Sequence, residues 1–275
     1  MPMHRFGPTR RDVPAIGQGT WFIDQADRDA AIAALRLGLD RGMTHIDTAE
    51  KYGGGAAEEI VGAAIAGRRD EVFLVSKIVP DNASVAGTLA SCEASLARLG
   101  TDRLDCYLLH WRGALPLEDT IEAFERLCRA GKILSWGVSN FYVDDLEAAL
   151  AVAGEGRIAC NQVPYDLTER AMEQQVLPWC EIHGIAMVGY SPFGHGRFPG
   201  PQTPGGRLLA EIAAAHDATP RQVALSFLTR RPSLFTIPKA ADRQHAAENS
   251  GAENVRLSAT DIARIDGAFP PAPAP

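Results

Sequence analysis

One short stretch holds residue types that could move a proton. In Thr44-His45-Ile46-Asp47-Thr48-Ala49-Glu50-Lys51-Tyr52-Gly53, an apolar strand ends at Asp47 and runs into a turn that carries Tyr52. A phenol with an ordinary pKa of about 10 is a poor acid at neutral pH unless something stabilises its anion. The run Val72-Phe73-Leu74-Val75 ends in Ser76-Lys77. An ammonium at the end of such a run needs a counter-charge, and Asp47 on the neighbouring strand is the natural one. Lys77 beside Tyr52 would lower the phenol's pKa. Tyr52 could then protonate a carbonyl oxygen as that oxygen gains negative charge. His110, closing the next apolar run, could donate a hydrogen bond to the same oxygen. This machinery suits carbonyl reduction and needs a hydride source. The sequence has no metal-ligand spacing, no G-x-S-x-G and no Walker-type phosphate loop.

These residues must be held by strands. Short apolar runs are expected as strands at 13–19, 45–47, 72–77, 104–110, 133–139, 158–162, 185–190 and 234–238. Amphipathic stretches between and after them predict helices over 27–40, 56–66, 84–99, 117–130, 143–153, 172–183, 208–216, 222–229, 243–249 and 259–269. Regular β-α alternation argues for a parallel sheet, and eight units in this length suit a (β/α)8 TIM barrel with extra helices near the C-terminus. An open doubly wound sheet is the alternative. The expected organisation is a single barrel domain over 1–269 and a Pro/Ala-rich mobile tail over 270–275. The Gly/Pro-rich segment 194–206 reads as a mobile loop. Its prolines at 199, 201 and 204 argue against a helix starting there.

In a barrel the chemistry sits where strands end. Those ends carry Asp47, Ser76-Lys77, His110-Trp111, Ser139-Asn140, Asn161-Gln162, Tyr190-Ser191 and Pro238-Lys239. Asp47 and Lys77 alone would read equally well as a structural ion pair; Tyr52 and His110 in register with them favour chemistry. Glu58-Glu59 reads as a solvated helix face, and His45 and His183 as structural or surface groups.

The segments Gly17-Gln18-Gly19-Thr20-Trp21, His45-Ile46-Asp47-Thr48-Ala49 with Tyr52-Gly53, Val75-Ser76-Lys77, Leu108-Leu109-His110-Trp111, Gly137-Val138-Ser139-Asn140-Phe141, Asn161-Gln162-Val163, Gly189-Tyr190-Ser191-Pro192 and Ile237-Pro238-Lys239-Ala240 follow one another at barrel-strand spacing. Together they resemble the aldo-keto reductase family over nearly the whole chain. The resemblance implies a nicotinamide-dependent barrel, preferring NADPH with NADH possible, whose catalytic tetrad falls on Asp47, Tyr52, Lys77 and His110. It implies that Ser139, Asn140 and Gln162 hold the nicotinamide carboxamide and that Tyr190 stacks on its ring. Ser191, Pro192, Phe193 and Gly194 would follow the pyrophosphate. Lys239 would meet a 2′-phosphate, and Glu248 and Asn249 the adenine. Gly19, Thr20, Ile237, Pro238, Ala240 and His245 would complete the cofactor's surroundings. Many NADPH-preferring members carry Ser and Arg where this chain has Ala240 and His245. Trp21 and Trp111, with Tyr52 and His110, would line the substrate pocket. The pattern is nearest to bacterial members that reduce methylglyoxal and other small aldehydes. A nicotinamide-binding regulatory subunit and an alcohol- or sugar-oxidising dehydrogenase on the same site are the alternatives.

Composition agrees with a small-molecule partner. A net charge of −7 gives no support for a nucleic-acid or anionic-membrane partner. No apolar run approaches the roughly 20 residues that span a bilayer, and Met1 to Arg11 lacks an apolar secretion segment. The five cysteines are scattered, with no C-x-x-C pair, as expected of small core residues in a reducing cytoplasm. A monomer is the family-level expectation.

Overall fold

The computed structural model describes residues 3–272. Eight strands form one parallel sheet: β3 (Gln18–Gly19), β4 (His45–Asp47), β5 (Phe73–Ile78), β6 (Cys106–Leu109), β7 (Trp136–Ser139), β8 (Ile158–Pro164), β9 (Ala186–Tyr190) and β10 (Leu234–Ile237). The sheet closes on itself. Gly17 N–H donates to the Thr236 carbonyl (2.8 Å), Thr236 N–H to that of Ala15 (2.8 Å) and Gly19 N–H to that of Pro238 (3.1 Å). The fold is therefore the (β/α)8 barrel. Alternation along each strand sends one set of side chains inward. Phe73, Val75, Cys106, Leu108, Cys160, Val188 and Phe235 belong to this buried inner cluster, while a larger core lies between the strands and the surrounding helices.

The helices are α1 (Arg28–Asp40), α2 (Ala56–Ile65), α3 (Val85–Leu99), α4 (Leu117–Arg129), α5 (Val143–Ala153), α6 (Val176–Ile182), α7 (Pro204–Ala215), α8 (Pro220–Leu228), α9 (Arg243–Gly251) and α10 (Ala259–Ala268). Six of them, α1, α3 and α7 to α10, start on a side-chain cap. Asp27 accepts from Ala30 N–H (2.8 Å), and Ser84 from Gly87 N–H (3.1 Å). Thr219 and Gln222 form a reciprocal capping box. Among the described residues no helix is long and apolar enough to cross a membrane.

Two sequence expectations change. The run 13–19 is not one strand. Its first part belongs to β2 (Asp12–Pro14), which pairs antiparallel with β1 (Met3–Arg5), while the barrel takes the rest, Ile16 bridging Thr236 and Gln18–Gly19 forming β3. The hairpin plugs the barrel floor with Phe6, whose ring lies 4.7 Å from Phe73 and 5.0 Å from Phe235. The backbone comes so close that a Cβ on Gly7, at φ +52°, would stand 2.1 Å from the Ala159 carbonyl oxygen. The second change is at α7, which begins at Pro204 rather than near Leu208. Proline suits the first helical position because its missing N–H has no partner there, and Thr203 caps the turn by accepting from Gly206 N–H (3.0 Å). In the expected tail, Ala272 accepts a hydrogen bond from Gln174 (2.5 Å); Pro273 to Pro275 lie outside the described residues, as do Met1 and Pro2.

Candidate active site

The strand register brings together the groups expected to move a proton. Asp47 is level with Val75 across the β4–β5 pair, which leaves Lys77 one inward position further along. The Lys77 ammonium is fully buried, and all three of its protons are used. One goes to Asp47 Oδ1, one to the Thr48 carbonyl (2.9 Å) and one to Tyr52 Oη (3.2 Å). Burial works against its charge, but Asp47 and Tyr52 outweigh burial and raise its pKa above the usual lysine value. The second oxygen of Asp47 accepts from the Gln162 amide (2.7 Å). Tyr52 reaches this position because the chain turns tightly after it, with Gly53 and Gly54 both left-handed (φ 57° and 62°), a conformation that side-chain-bearing residues rarely adopt.

The expected lowering of the Tyr52 pKa is not what the surroundings produce. Burial raises it above 10 and outweighs the Lys77 charge, while Asp47 raises it further. The phenol therefore keeps its proton at neutral pH, and because its oxygen accepts from Lys77, that proton is available to another acceptor. His110 follows β6, and its ring lies edge-on to Tyr52 at 5.6 Å. Burial, then the charges of Lys77 and Lys51, lower its pKa to about 3, so the imidazole is neutral. Its Nδ1 is buried without a partner. A proton there would be an unpaired buried donor, which favours the tautomer protonated at Nε2.

These groups open on a cavity of about 580 Å³. Of the residues singled out from sequence, Gly19, Thr20, Trp21, Asp47, Tyr52, His110, Trp111, Ser139, Asn140, Gln162, Tyr190, Ser191, Pro192, Phe193, Ile237 and Lys239 line it. Asn140 is left-handed (φ 60°). Its amide donates to the His110 carbonyl (3.0 Å), and its oxygen accepts from the Tyr190 hydroxyl (2.9 Å). Ser139 Oγ donates to the Gln162 carbonyl (2.8 Å). The other expected positions are not in the lining. Lys77 lies against Tyr52, and Gly194, Pro238 and Ala240 are outside the lining. His245, Glu248 and Asn249 ride on α9, where His245 pairs with Asp242 (2.6 Å) and Glu248 accepts from Thr219 (2.8 Å). Two lining residues, Phe22 and Lys51, had no sequence signal, while His195 and Gly196 lie in the segment 194–206 that was expected only as a loop. Trp21 is 42% exposed, stacked on Phe22 (4.3 Å) and met edge-on by His195 (4.8 Å). Glu58 is not solvated; it is fully buried and accepts from Ser76 (2.6 Å) and Arg98 (2.6 Å), whereas Glu59 is exposed. Among the described residues no group of three or more His, Cys, Asp or Glu could hold a metal ion.

The model of the Aldo/keto reductase family matches residues 15–269. The chain belongs to this family. It is 42% identical over 261 residues to methylglyoxal reductase YeaE of Escherichia coli (strain K12), covering 94% of this chain and 92% of that one. An aldo/keto reductase from Klebsiella pneumoniae, solved in complex with NADP and acetate, superposes with a TM-score of 0.91 at 43% identity, covering 98% of this chain and 96% of that one. An aldo-keto reductase from the same organism, solved with NADPH, gives 0.92 at 42% identity, covering 99% and 97%. The chain is thus an oxidoreductase of the NAD(P)H-dependent kind that this family comprises.

Proposed function

We propose that the protein reduces small aldehydes, foremost 2-oxoaldehydes such as methylglyoxal, with NADPH as reductant and Tyr52 as the general acid. The observation that carries this reading is the Tyr52 oxygen, which accepts from a buried, fully satisfied Lys77 and faces a cavity shared with a neutral His110. The similarity to a methylglyoxal reductase points to the substrate class.

The lining suits a nicotinamide dinucleotide. Tyr190, held by Asn140, offers an aromatic wall; Ser139, Asn140 and Gln162 offer polar groups for a carboxamide; Lys239 is an exposed cation for phosphate. When bound, the reduced nicotinamide supplies the hydride. The protein's own part is proton delivery. His110 donates to the carbonyl oxygen and fixes its direction. Tyr52 gives its proton to that oxygen as negative charge builds. Lys77, held by Asp47, then stabilises the phenolate left behind. Lys239 favours NADPH, while Ala240 and His245 in place of the usual Ser and Arg leave NADH as a second reductant. Five free cysteines fit action in a reducing cytoplasm.

The test is loss of NADPH absorbance on adding methylglyoxal, repeated with NADH and with Tyr52→Phe. Turnover with NADPH that disappears in Tyr52→Phe supports the reading. Full activity in Tyr52→Phe would remove Tyr52 from the role of acid.

A further inference from the structure

The cavity contains a cation that neither the proton chemistry nor the cofactor uses. Lys51 precedes Tyr52 in the turn after β4, is exposed and lines the cavity. Its ammonium sits 4.5 Å from the centre of the Trp111 ring, and Trp111 in turn lies 4.9 Å from His110. The position is therefore fixed against the wall next to the reacting groups. Its charge reaches them, contributing to the lowered proton affinity of His110.

Among the described residues no carboxylate lies within ion-pair distance of Lys51. Its chain neighbour Glu50 is engaged elsewhere, accepting from Val79 N–H (2.8 Å) and the Asn82 amide (3.2 Å). Asp47 is the one carboxylate in the lining among the described residues, and both its oxygens are taken, by Lys77 and Gln162. The remaining wall on this side is aromatic: Trp21, Phe22 and Trp111. Lys239, the cavity's other lysine, follows β10, separated from β4 by β3; it is the residue assigned above to phosphate. Apolar walls with one unpaired ammonium suit a substrate whose body is apolar and whose far end is anionic. A lysine on a flexible stem binds such an end as a point charge and tolerates several chain lengths.

We propose that Lys51 is a specificity-determining residue that receives a substrate carboxylate, so that among aldehydes of otherwise matched structure those carrying a carboxylate at the end away from the carbonyl are preferred. This rests on the carbonyl-reductase reading above.

The probes are two matched pairs: 4-carboxybenzaldehyde with its methyl ester, and 4-oxobutanoate with its methyl ester. Each acid and its ester differ chiefly in charge. At low ionic strength with saturating NADPH, the wild-type protein is expected to favour each acid over its ester by about three- to five-fold in kcat/KM, the upper range for one exposed charged contact. Added salt should shrink that ratio. Lys51→Met should bring the ratio to about one, mainly by raising KM for the acid, and Lys51→Arg should restore most of it. The wild-type ratio and its salt dependence need no variant, so a misfolded Lys51→Met does not block the test. A wild-type ratio near one that salt does not move, or an unchanged acid preference in folded Lys51→Met, would overturn the proposal while leaving the reductase reading in place. Absence of turnover with all four aldehydes and with methylglyoxal would instead overturn the reductase reading and this inference with it.

Discussion

Tyr52 has two jobs that one substitution can separate. Its ring packs edge-on to His110, and its oxygen accepts from Lys77. Tyr52→Phe keeps the ring and deletes the oxygen. The expected result is a fall in kcat of roughly 10²–10⁴-fold, the usual worth of a positioned acid, with a thermal midpoint close to that of the wild type. Steady-state kinetics and a melting curve on the same preparation would check both halves. At this scale the sequence was most readable for groups that strands must present. Asp47, Lys77 and His110 end apolar runs, and a polar residue at such an end has few other places to go. Lys51 and His195 could not be found that way. Nothing in a turn's composition tells which of two adjacent residues looks into the cavity. Tyr52 itself was found, but the sign of its pKa shift was not, because the balance of burial against Lys77 depends on depth, which spacing does not encode.

Glu58, Ser76 and Arg98 show how the surrounding elements hold the strand that carries Lys77. Glu58 on α2 accepts from Ser76 on β5 and from Arg98 on α3, so one fully buried carboxylate ties three elements together. Arg98→Met would leave that carboxylate without its counter-charge, at a cost of about 3–5 kcal/mol. Urea unfolding would measure it, and Glu58→Gln added to Arg98→Met should recover part of the loss. The pair 58–59 looked like a solvated helix face because Glu58's partner lies 40 residues away. The floor hairpin was hidden for a related reason: three-residue strands carry too little alternation to be seen. Phe6 makes the consequence measurable. Phe6→Ala would open a cavity among Phe73, Phe235 and His45 and cost about 3–5 kcal/mol. An unchanged urea midpoint would mean that the hairpin contributes little to the barrel. The strand order itself followed from β-α alternation, and α7 was misplaced only because Pro204 starts the helix that prolines usually interrupt.

The response of the whole molecule to acid follows from its buried histidines. His45 lies inside the barrel between Phe6 and Phe73, fully buried, with neither ring nitrogen hydrogen-bonded. Burial, and then the charge of Lys77, lower its pKa from 6.5 to about 3. His110 is lowered to about 3 as well, by burial and then by Lys77 and Lys51. In the unfolded chain both side chains take up protons near the ordinary histidine pKa, while the folded barrel keeps them neutral. Between about pH 6.5 and pH 3 the unfolded state therefore binds more protons, and stability must fall as pH falls through that window. Above pH 6.5 neither histidine contributes a slope. Glu173, lowered to about 2 chiefly by hydrogen bonds from Arg170 and Tyr165 and the charge of Arg230 against the opposing effect of burial, adds a further loss below about pH 4.5. Urea midpoints taken at intervals from pH 8 to pH 4 should be level at first and then decline from about pH 6.5. His45→Phe replaces the ring with one of similar shape that cannot titrate. Any misfit it introduces is the same at every pH, so the midpoint is free to move but the slope below pH 6.5 should become shallower without vanishing, His110 and His4, whose proton affinities burial also lowers, supplying the remainder. An undiminished slope in His45→Phe would mean that His45 is already charged in the folded barrel, and that a counter-ion or water satisfies it there.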